Sequence, residues 1–426
     1  MTDIQTAIDT PSDEEIVDNR VESTQFEIRF FTKLSEEYQI PDDKIIVPGS
    51  VNRLELSDLV NDMSSVGKRV PYDFLVKGEF LRGSLVDHCT ERGILSEKTV
   101  EIEYVIAMSE PDTADLTEPE KDWISRVTAN SDRFYTSSMA GSVSMYELGS
   151  GKLVKSSVQS SLPLTGVFCT TGGVLVTSSK DGKVRFADAS TLEVFESSVS
   201  VSPIQCLSVC PFDNTIAITG STSGELYLWN VPMKPSMPNS SSKKRANIQE
   251  VEARAELDSS SLSGISGIEW ISLSQVIVSS LDGTIQVIDP MSKSSLPTIN
   301  TNRSISALTM LGPKTVVTGH ADGRIIFWQL RSDDVCATLE AINSCRSHSR
   351  MITDLKSMPD SAFLIASASV DGSVKLFDSR ATSFAVQSIT LPQTERALGL
   401  AWSTPSQLLS GASDGIVRSH TIARSM

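Results

Sequence analysis

The sequence predicts a mainly β fold, in which a seven-bladed β-propeller follows a smaller α+β domain. The first observation is a short phrase that recurs seven times, with a glycine between a small or acidic residue and an apolar run. Most of these glycines lie about forty residues apart, which is the period of WD-repeat propeller blades. We therefore expect the blades in residues 122–426. The glycines are Gly141, Gly182, Gly224, Gly283, Gly323, Gly372 and Gly415.

Aspartate precedes the glycine in five of the seven phrases. We expect each phrase to form the tight turn between the second and third strands of its blade, where glycine supplies the positive φ that such turns often need. The first and third phrases have Ala140 and Ser223 in place of the aspartate. The turn aspartates are Asp181, Asp282, Asp322, Asp371 and Asp414.

The last blade indicates how the propeller closes. Its third strand is expected to end near Thr421, and only five residues follow. A blade needs a fourth, outer strand, because an unpaired edge is unfavourable. We therefore expect residues 107–121, an acidic linker that contains Pro111 and Pro119, to include this closing strand.

The second observation is a strand pattern ahead of the blades. Apolar residues alternate with charged ones in 26–30 and 100–104, and shorter apolar runs occupy 45–47 and 72–76. Alternation of this kind predicts half-buried strands.

Two helices interrupt these strands. Apolar residues in 56–63 recur at helical spacing, with Ser57 as the expected N-cap, and a shorter helix is expected between Ser84 and Gly93. A mixed sheet wrapped on one main helix predicts a ubiquitin-like β-grasp domain in residues 25–106.

Charge narrows the possible partners. The formal net charge is −16, and residues 1–24 form an acidic stretch that we expect to be disordered. Strong direct binding of nucleic acid is not expected, because phosphate attraction needs a basic surface, although a local basic patch on one propeller face is compatible with this charge. No membrane span is expected, since no window approaches 18 consecutive apolar residues.

An insertion in residues 232–258 interrupts the repeat period after the third blade. It contains three prolines, a serine run and the basic trio Lys243, Lys244 and Arg245. The trio fits part of a nuclear import signal or a solvated charge run on a surface loop.

No enzyme and no cofactor of its own are expected for this chain. It has no phosphate-binding glycine loop, no paired-cysteine zinc pattern and no nucleophile elbow. His88 and Cys89 are neighbours on a helix, so they do not face each other. His348 lies where a WD repeat often has a histidine, and we expect it to join Asp371 and a nearby serine, Ser367 or Ser369, in a structural hydrogen-bond network.

One motif leaves an alternative function open. Phe377-Asp378-Ser379-Arg380 is similar to the Trp-Asp-x-Arg box by which some WD-repeat propellers join cullin ubiquitin ligases as substrate receptors. Phenylalanine replaces the tryptophan, and an Asp-x-Arg pair at a strand end can equally form a local salt bridge.

Three stretches carry a family resemblance. They are Tyr72–Arg82, which contains YDFLVKGEFLR, Val100–Tyr104, and Asp122–Ser125, which contains DWIS. With a ubiquitin-like domain ahead of seven repeats, the chain resembles the WD-repeat ribosome-biogenesis family of the PeBoW complex. The sister family, notchless, has eight repeats. The family's basic insert after the third blade strengthens the import interpretation of the trio in this chain.

The resemblance implies a set of partners and a place in the cell. Family members bind pescadillo and the block-of-proliferation WD-repeat protein, and act in the nucleolus and nucleoplasm. The propeller would be anchored on the precursor of the large ribosomal subunit, in a non-enzymatic assembly role.

The resemblance also implies a role for the ubiquitin-like domain. In the family this domain docks on the metal-dependent adhesion site of midasin, an AAA+ ATPase, whose pulling would remove the complex. An acidic residue supplies a ligand to the Mg²⁺ that midasin holds, and the matching residue here is Glu97, in the step Ser96-Glu97. Glu101 and Glu103 are competitors for this role, and an exposed loop carboxylate is the structural alternative.

Overall fold

The computed structural model divides the chain into two compact units, with the boundary between Ser109 and Glu110. The acidic stretch 1–24, apart from Thr24, lies outside the described residues, as do Lys243, Lys244 and Arg245. No helix in the described ranges is both long and apolar enough to cross a membrane. The structure describes residues 24–64, 67–94, 98–200, 202–234, 249–250, 255–257, 262–332, 337–359, 361–381, 384–392 and 395–422.

The first unit is a five-stranded mixed sheet with two α-helices and a 3₁₀ helix at Glu36–Tyr38. The strand order is β2-β1-β5-β3-β4, in which β1 and β5 are parallel and the other pairs are antiparallel. This is the mixed sheet of a ubiquitin-like domain. The elements are β1 (Gln25–Phe31), β2 (Lys44–Pro48), α1 (Arg53–Met63), β3 (Tyr72–Val76), β4 (Glu79–Phe80), α2 (Leu85–Glu91) and β5 (Val100–Ile106).

The core of this unit follows the alternation seen in the sequence. Phe26, Ile28 and Phe30 of β1 are buried, while the residues between them are at least partly exposed. Leu56 and Val60 of α1 are fully buried and pack against these strands. Each fully buried aliphatic or aromatic side chain contributes roughly 1.5–3 kcal/mol.

The predicted cap of the first helix is wrong. Asn52, and not Ser57, caps α1: its Oδ1 accepts hydrogen bonds from the N–H of Leu54 at 2.9 Å and of Glu55 at 3.3 Å. The Glu55 carboxylate accepts in return from the Asn52 N–H, which completes a capping box. The Ser57 hydroxyl instead accepts from the Tyr72 N–H. The apolar periodicity marks the buried face only, and that face begins three residues inside the helix.

The second unit consists of seven small sheets, and each sheet is one propeller blade. Blade one has strands β7 to β10, blade two β11 to β14, and blade three β15 to β17 with β19. A short strand, β18, pairs in parallel with the outer strand of blade two. With β6 ahead of the blades, these strands are β6 (Asp112–Asp115), β7 (Ile124–Ala129), β8 (Arg133–Ser138), β9 (Ser142–Glu147), β10 (Leu153–Val158), β11 (Leu164–Cys169), β12 (Val174–Ser179), β13 (Lys183–Asp188), β14 (Val194–Val199), β15 (Ile204–Val209), β16 (Ile216–Ser221), β17 (Leu226–Asn230), β18 (Gln249–Glu250) and β19 (Ala255–Leu257).

Blades four to seven complete the ring. Blade four has β20 to β24, blade five β25 to β28, blade six β29 to β32, and blade seven β33 to β35. The strands are β20 (Ile265–Ser272), β21 (Gln275–Ser280), β22 (Thr284–Asp289), β23 (Ser294–Ser295), β24 (Ile299–Asn300), β25 (Ile305–Leu311), β26 (Thr315–His320), β27 (Arg324–Ser332), β28 (Ala337–Arg346), β29 (Ile352–Ser357), β30 (Leu364–Ser369), β31 (Ser373–Asp378), β32 (Gln387–Thr390), β33 (Ala397–Thr404), β34 (Gln407–Ala412) and β35 (Val417–Thr421).

The fourth strand of blade seven comes from ahead of the first blade. Strand β6 pairs antiparallel with β35, so that Thr113 lies opposite His420 and Asp115 opposite Arg418. Beyond β6 the pairing continues, because the Leu116 N–H donates to the Val417 carbonyl at 2.9 Å. We call residues 112–120 the closing segment.

The repeated glycines lie in the turns between the second and third strands of the blades, with φ between 77° and 94°. A non-glycine residue is strained in this region of φ. In blade seven a Cβ on Gly415 would also lie 2.5 Å from the carbonyl oxygen of Glu120, so only glycine fits this close approach.

The insertion is shorter than its predicted extent of 232–258. Ala255–Leu257 pairs with β17 and is the outer strand of blade three. A three-residue strand is too short to show the alternation that would have separated it from a loop.

Candidate functional site

The expected magnesium ligand, Glu97, lies outside the described residues, together with Leu95 and Ser96. The described residues next to it are Ile94 and Lys98, and both line a cavity of about 370 Å³. The outer face of the sheet forms another part of its wall, through Phe31, Leu75 and Glu101. The surface that Ile94 and Lys98 line is therefore concave and has both apolar and charged walls.

The two competing carboxylates already face cations of their own module. Glu101 Oε1 lies 3.6 Å from Arg29 Nη1, and Glu103 Oε1 lies 3.0 Å from Lys33 Nζ. The Glu103 side chain is only 12% exposed, whereas that of Glu101 is 65% exposed. Glu103 is the less accessible of the two for a partner's metal ion.

In blade six, His348 connects the start of the blade to its turn. Its Nδ1 lies 3.1 Å from Asp371 Oδ2, and its Nε2 lies 2.7 Å from Ser367 Oγ. Burial alone would raise the pKa of Asp371, but hydrogen bonds from Ser373 and Ser349 and the nearby His348 lower it to about 2. Burial lowers the pKa of His348. Ser373 Oγ also lies 3.0 Å from His348 Nδ1, a contact that the sequence did not indicate. The group holds the turn in place.

The five turn aspartates share one contact. Each carboxylate accepts a hydrogen bond, at 2.9 to 3.1 Å, from the backbone N–H two residues later in the turn. A side chain that bonds its own backbone in this way fixes the turn. The donors are Lys183, Thr284, Arg324, Ser373 and Ile416.

Blade one has no turn aspartate, and its turn amide, Ser142 N–H, donates to Ser138 Oγ at 3.2 Å. Glu120 of the closing segment makes a separate set of contacts with the strands of this blade. Glu120 Oε1 accepts from the Thr136 hydroxyl at 2.5 Å and from the Tyr146 hydroxyl at 2.8 Å, and Oε2 lies 3.4 Å from Ser144 Oγ. The Tyr146 ring stacks on Phe134, with centroids 4.9 Å apart. Burial, followed by the charge of Glu120, raises the pKa of Tyr146. The carboxylate thus links the closing segment to the second and third strands of blade one.

His420 joins the closing segment to blade seven. The side chain is fully buried, with Nδ1 2.9 Å from Thr113 Oγ1 and Nε2 2.7 Å from Ser410 Oγ. Burial and the nearby charge of Arg418 lower its pKa from 6.5 to about 4. Arg418 in turn forms an ion pair with Asp115 of β6 at 2.8 Å.

Sequence reasoning missed both Glu120 and His420. No spacing rule distinguishes Glu120 from the other acidic residues before the first blade. The missing turn aspartate of blade one gave no signal for Glu120, because Ser138 Oγ accepts from the turn amide of Ser142. His420 belongs to the least regular repeat, and its partner Thr113 is 307 positions away in the chain.

The cullin-type motif forms a local contact. Arg380 Nε and Nη2 donate to the Asp378 carboxylate at 2.9 and 2.7 Å, and the guanidinium carbon lies 4.5 Å from the Phe363 ring centroid. The Asp-x-Arg pair therefore forms the local salt bridge that was the alternative to a cullin-binding box.

The pKa shifts of the neighbouring residues His88 and Cys89 are opposite to those that nucleophilic catalysis by a cysteine requires. Burial raises the pKa of the Cys89 thiol and lowers the pKa of His88. A nucleophilic cysteine requires the opposite shift, toward the thiolate.

Comparison with known proteins finds two matching family profiles and several relatives that align with most of this chain. The profile of the NLE (NUC135) domain matches residues 26–89, and that of the WD domain, G-beta repeat, matches residues 339–378. The Ribosome biogenesis protein WDR12 homolog of Drosophila pseudoobscura pseudoobscura is 27% identical, over 92% of this chain and 94% of its own length. The Arabidopsis thaliana protein of the same name is 26% identical, over 94% and 98%. Ribosome biogenesis protein YTM1 of Coprinopsis cinerea is 24% identical, over 86% and 88%.

These matches confirm the resemblance to the WD-repeat ribosome-biogenesis family. The WD-domain match explains why the closing strand lies where it does. It begins within β28, the outer strand of blade five, and ends with β31, the third strand of blade six. One sequence repeat therefore contains the outer strand of one blade and three strands of the next. By the same rule, β6 belongs to the first repeat, although it lies in blade seven.

Proposed function

We propose that this chain is a non-enzymatic assembly factor of the large ribosomal subunit, active in pre-rRNA processing and pre-ribosome maturation. The observation that carries the proposal is the order of its parts: an NLE domain precedes a seven-bladed propeller, and relatives that match nearly the whole chain are named ribosome biogenesis proteins. Affinity purification of the tagged full chain tests it. Large-subunit precursors should co-purify, and cullin ubiquitin ligase subunits in their place would contradict the proposal.

In this proposal the propeller is the anchor. It joins a PeBoW-type complex with pescadillo and the block-of-proliferation WD-repeat protein. In five of the seven blades the turn is fixed by a hydrogen bond to its own aspartate, which supports an anchoring role, because a rigid surface loses little entropy on binding.

The ubiquitin-like module is the site through which the complex is removed. Glu97 donates a carboxylate oxygen to the Mg²⁺ of midasin's metal-dependent adhesion site, and ATP-driven pulling follows. Mg²⁺ prefers oxygen ligands and takes few protein carboxylates, so one ligand from another chain can complete its shell. The cations that face Glu101 and Glu103 support Glu97 over these two competitors.

The test uses matched substitutions in the full chain. Glu97→Ala and Glu97→Asp should abolish binding to the midasin adhesion-site domain in the presence of Mg²⁺, because aspartate is one methylene shorter. Glu101→Gln serves as the control on the same surface and should bind as before. Pescadillo should co-purify with all three variants. Unchanged midasin binding by Glu97→Ala would remove Glu97 from this role without affecting the assembly-factor proposal.

We also propose a nuclear location, in the nucleolus and nucleoplasm. The relatives' role in ribosome biogenesis and the trio Lys243, Lys244 and Arg245 support it. Microscopy of the tagged full chain tests it: the wild-type protein should accumulate in the nucleus, and alanine replacement of the trio should reduce that accumulation.

A further inference from the structure

One end of the propeller is built from the same pair of positions in every blade. The residue two places before the turn glycine donates its N–H to the carbonyl of a residue just ahead of the first strand, at 2.9 to 3.4 Å. This contact brings both positions to the same end of each blade, and we call this end the turn face. The seven pairs are Met139 with Trp123, Lys180 with Pro163, Thr222 with Pro203, Leu281 with Gly264, Ala321 with Ser304, Val370 with Met351, and Ser413 with Arg396.

Large apolar side chains are exposed on this face. Trp123 is 40% exposed, Leu281 is 46% exposed and Met351 is 42% exposed. Leu162, which precedes Pro163 of blade two, is 45% exposed. A single exposed apolar side chain is ordinary, but several at equivalent positions on one face indicate a binding surface.

Exposed cations lie between these apolar groups. Lys180, Arg303, Arg350 and Arg396 occupy or adjoin the same positions, in blades two, five, six and seven. The Arg396 guanidinium carbon lies 5.1 Å from the Trp123 ring centroid. Arg303 forms an ion pair with Asp322 at 2.9 Å. Within the described ranges, Lys180 and Arg350 form no ion pair.

The acidic groups of this face are largely engaged by their own chain. Asp181 forms an ion pair with Arg185 and Asp414 with Arg418. The Glu395 carboxylate accepts a hydrogen bond from Ser413. Asp282 of blade four is exposed and has only neutral hydrogen-bond donors among the described residues. The cationic character therefore belongs to the blades that carry Lys180, Arg303, Arg350 and Arg396, in a chain whose formal net charge is −16.

We propose that the turn face binds an acidic segment with aliphatic side chains, from a partner protein, along the arc from blade five through blade one to blade two. The free charges of Lys180 and Arg350 complement the carboxylates of such a segment. Trp123, Leu162 and Met351 provide contacts for its aliphatic side chains, which a nucleic-acid backbone would not use. The partner is thus a protein segment rather than RNA.

The first experiment identifies what lies on this face. A photo-crosslinking amino acid replaces Leu162 in one full-length chain and Met351 in another, and crosslinked peptides are sequenced after irradiation of cells. We expect both positions to crosslink to protein segments in which Asp and Glu outnumber Lys and Arg. Crosslinks to RNA, to a second copy of this chain, to basic segments, or to nothing would overturn the proposal.

The second experiment measures the charge contribution. A synthetic peptide of the crosslinked segment is titrated against the full chain and against the double variant Lys180→Glu with Arg350→Glu. Two reversed charges should weaken binding roughly tenfold or more at low salt, since each exposed pair contributes up to about 1 kcal/mol and reversal adds repulsion. The control is Lys155→Glu, an exposed lysine on the outer strand of blade one.

Folding is checked by the thermal midpoint of each variant. If the double variant fails to fold, Arg350→Gln replaces it, with an expected loss of about twofold to fivefold. Equal binding by the wild type and the charge variant, or an equal loss in Lys155→Glu, would refute the assignment to this face.

Discussion

Protonation of His420 should weaken the propeller below pH 6.5. The buried imidazole lies between hydroxyls of Thr113 and Ser410, and neutral imidazole serves both contacts as one donor and one acceptor. Its pKa is lowered to about 4, against 6.5 in the unfolded chain. Between these two values the unfolded state binds a proton that the folded state does not, so stability falls as pH falls.

The size of this effect follows from the two pKa values. At pH 5 the folded state loses about 2 kcal/mol relative to pH 7, and at pH 4 and below the loss approaches about 3 kcal/mol. Replacement of His420 by asparagine removes this titration, while the amide keeps one donor and one acceptor for the two hydroxyls. The variant can be less stable at pH 7, but its stability should depend less on pH.

Urea unfolding followed by tryptophan fluorescence measures this difference. All five tryptophans lie at or after Trp123, so the signal reports the propeller and not the ubiquitin-like module. The loss of stability between pH 7 and pH 5 should be about 2 kcal/mol smaller in His420→Asn than in the wild type. The same loss in both proteins, to within about 0.5 kcal/mol, would refute the reasoning.

Two further predictions concern the other contacts that sequence reasoning missed. Glu120→Leu should lower propeller stability by about 3 kcal/mol, because the Thr136 and Tyr146 hydroxyls lose a charged acceptor. In the same fluorescence assay Glu118→Leu, an exposed control in the same segment, should change stability by less than about 0.5 kcal/mol. Asn52→Ala should destabilise the ubiquitin-like module by about 1 kcal/mol, through loss of the α1 cap. Faster hydrogen exchange of the first-turn amides of α1 would report that loss, and unchanged exchange would contradict it.

The sequence determines most of the architecture because two kinds of local signal repeat. Turn glycines mark the blades, and alternation in β1 and β5 marks the module's sheet, so both follow from neighbouring residues alone. The cap of α1 was missed because the apolar stripe begins at Leu56, inside the helix. The capping residue lies in the chain ahead of that stripe, where the hydrophobic pattern gives no information.

The contacts that close the propeller are of a different kind. His420 contacts a strand 307 positions away in the chain, whereas Glu120 bonds residues 16 and 26 positions later. Both residue types are ordinary for exposed segments. Burial decides their role, and burial follows from the closed ring rather than from local spacing. The location of the closing strand could be limited to residues 107–121, since the last blade lacked sequence for it, but the register with β35 could not be predicted.

The closing segment contacts both the last and the first blade of the propeller. In blade seven β6 supplies the outer strand, and in blade one the Glu120 carboxylate bonds the second and third strands. Both contributions come from residues ahead of the first blade, in the segment that follows the ubiquitin-like module directly. The ion pair of Arg418 with Asp115 and the buried contact of His420 with Thr113 hold this segment on blade seven.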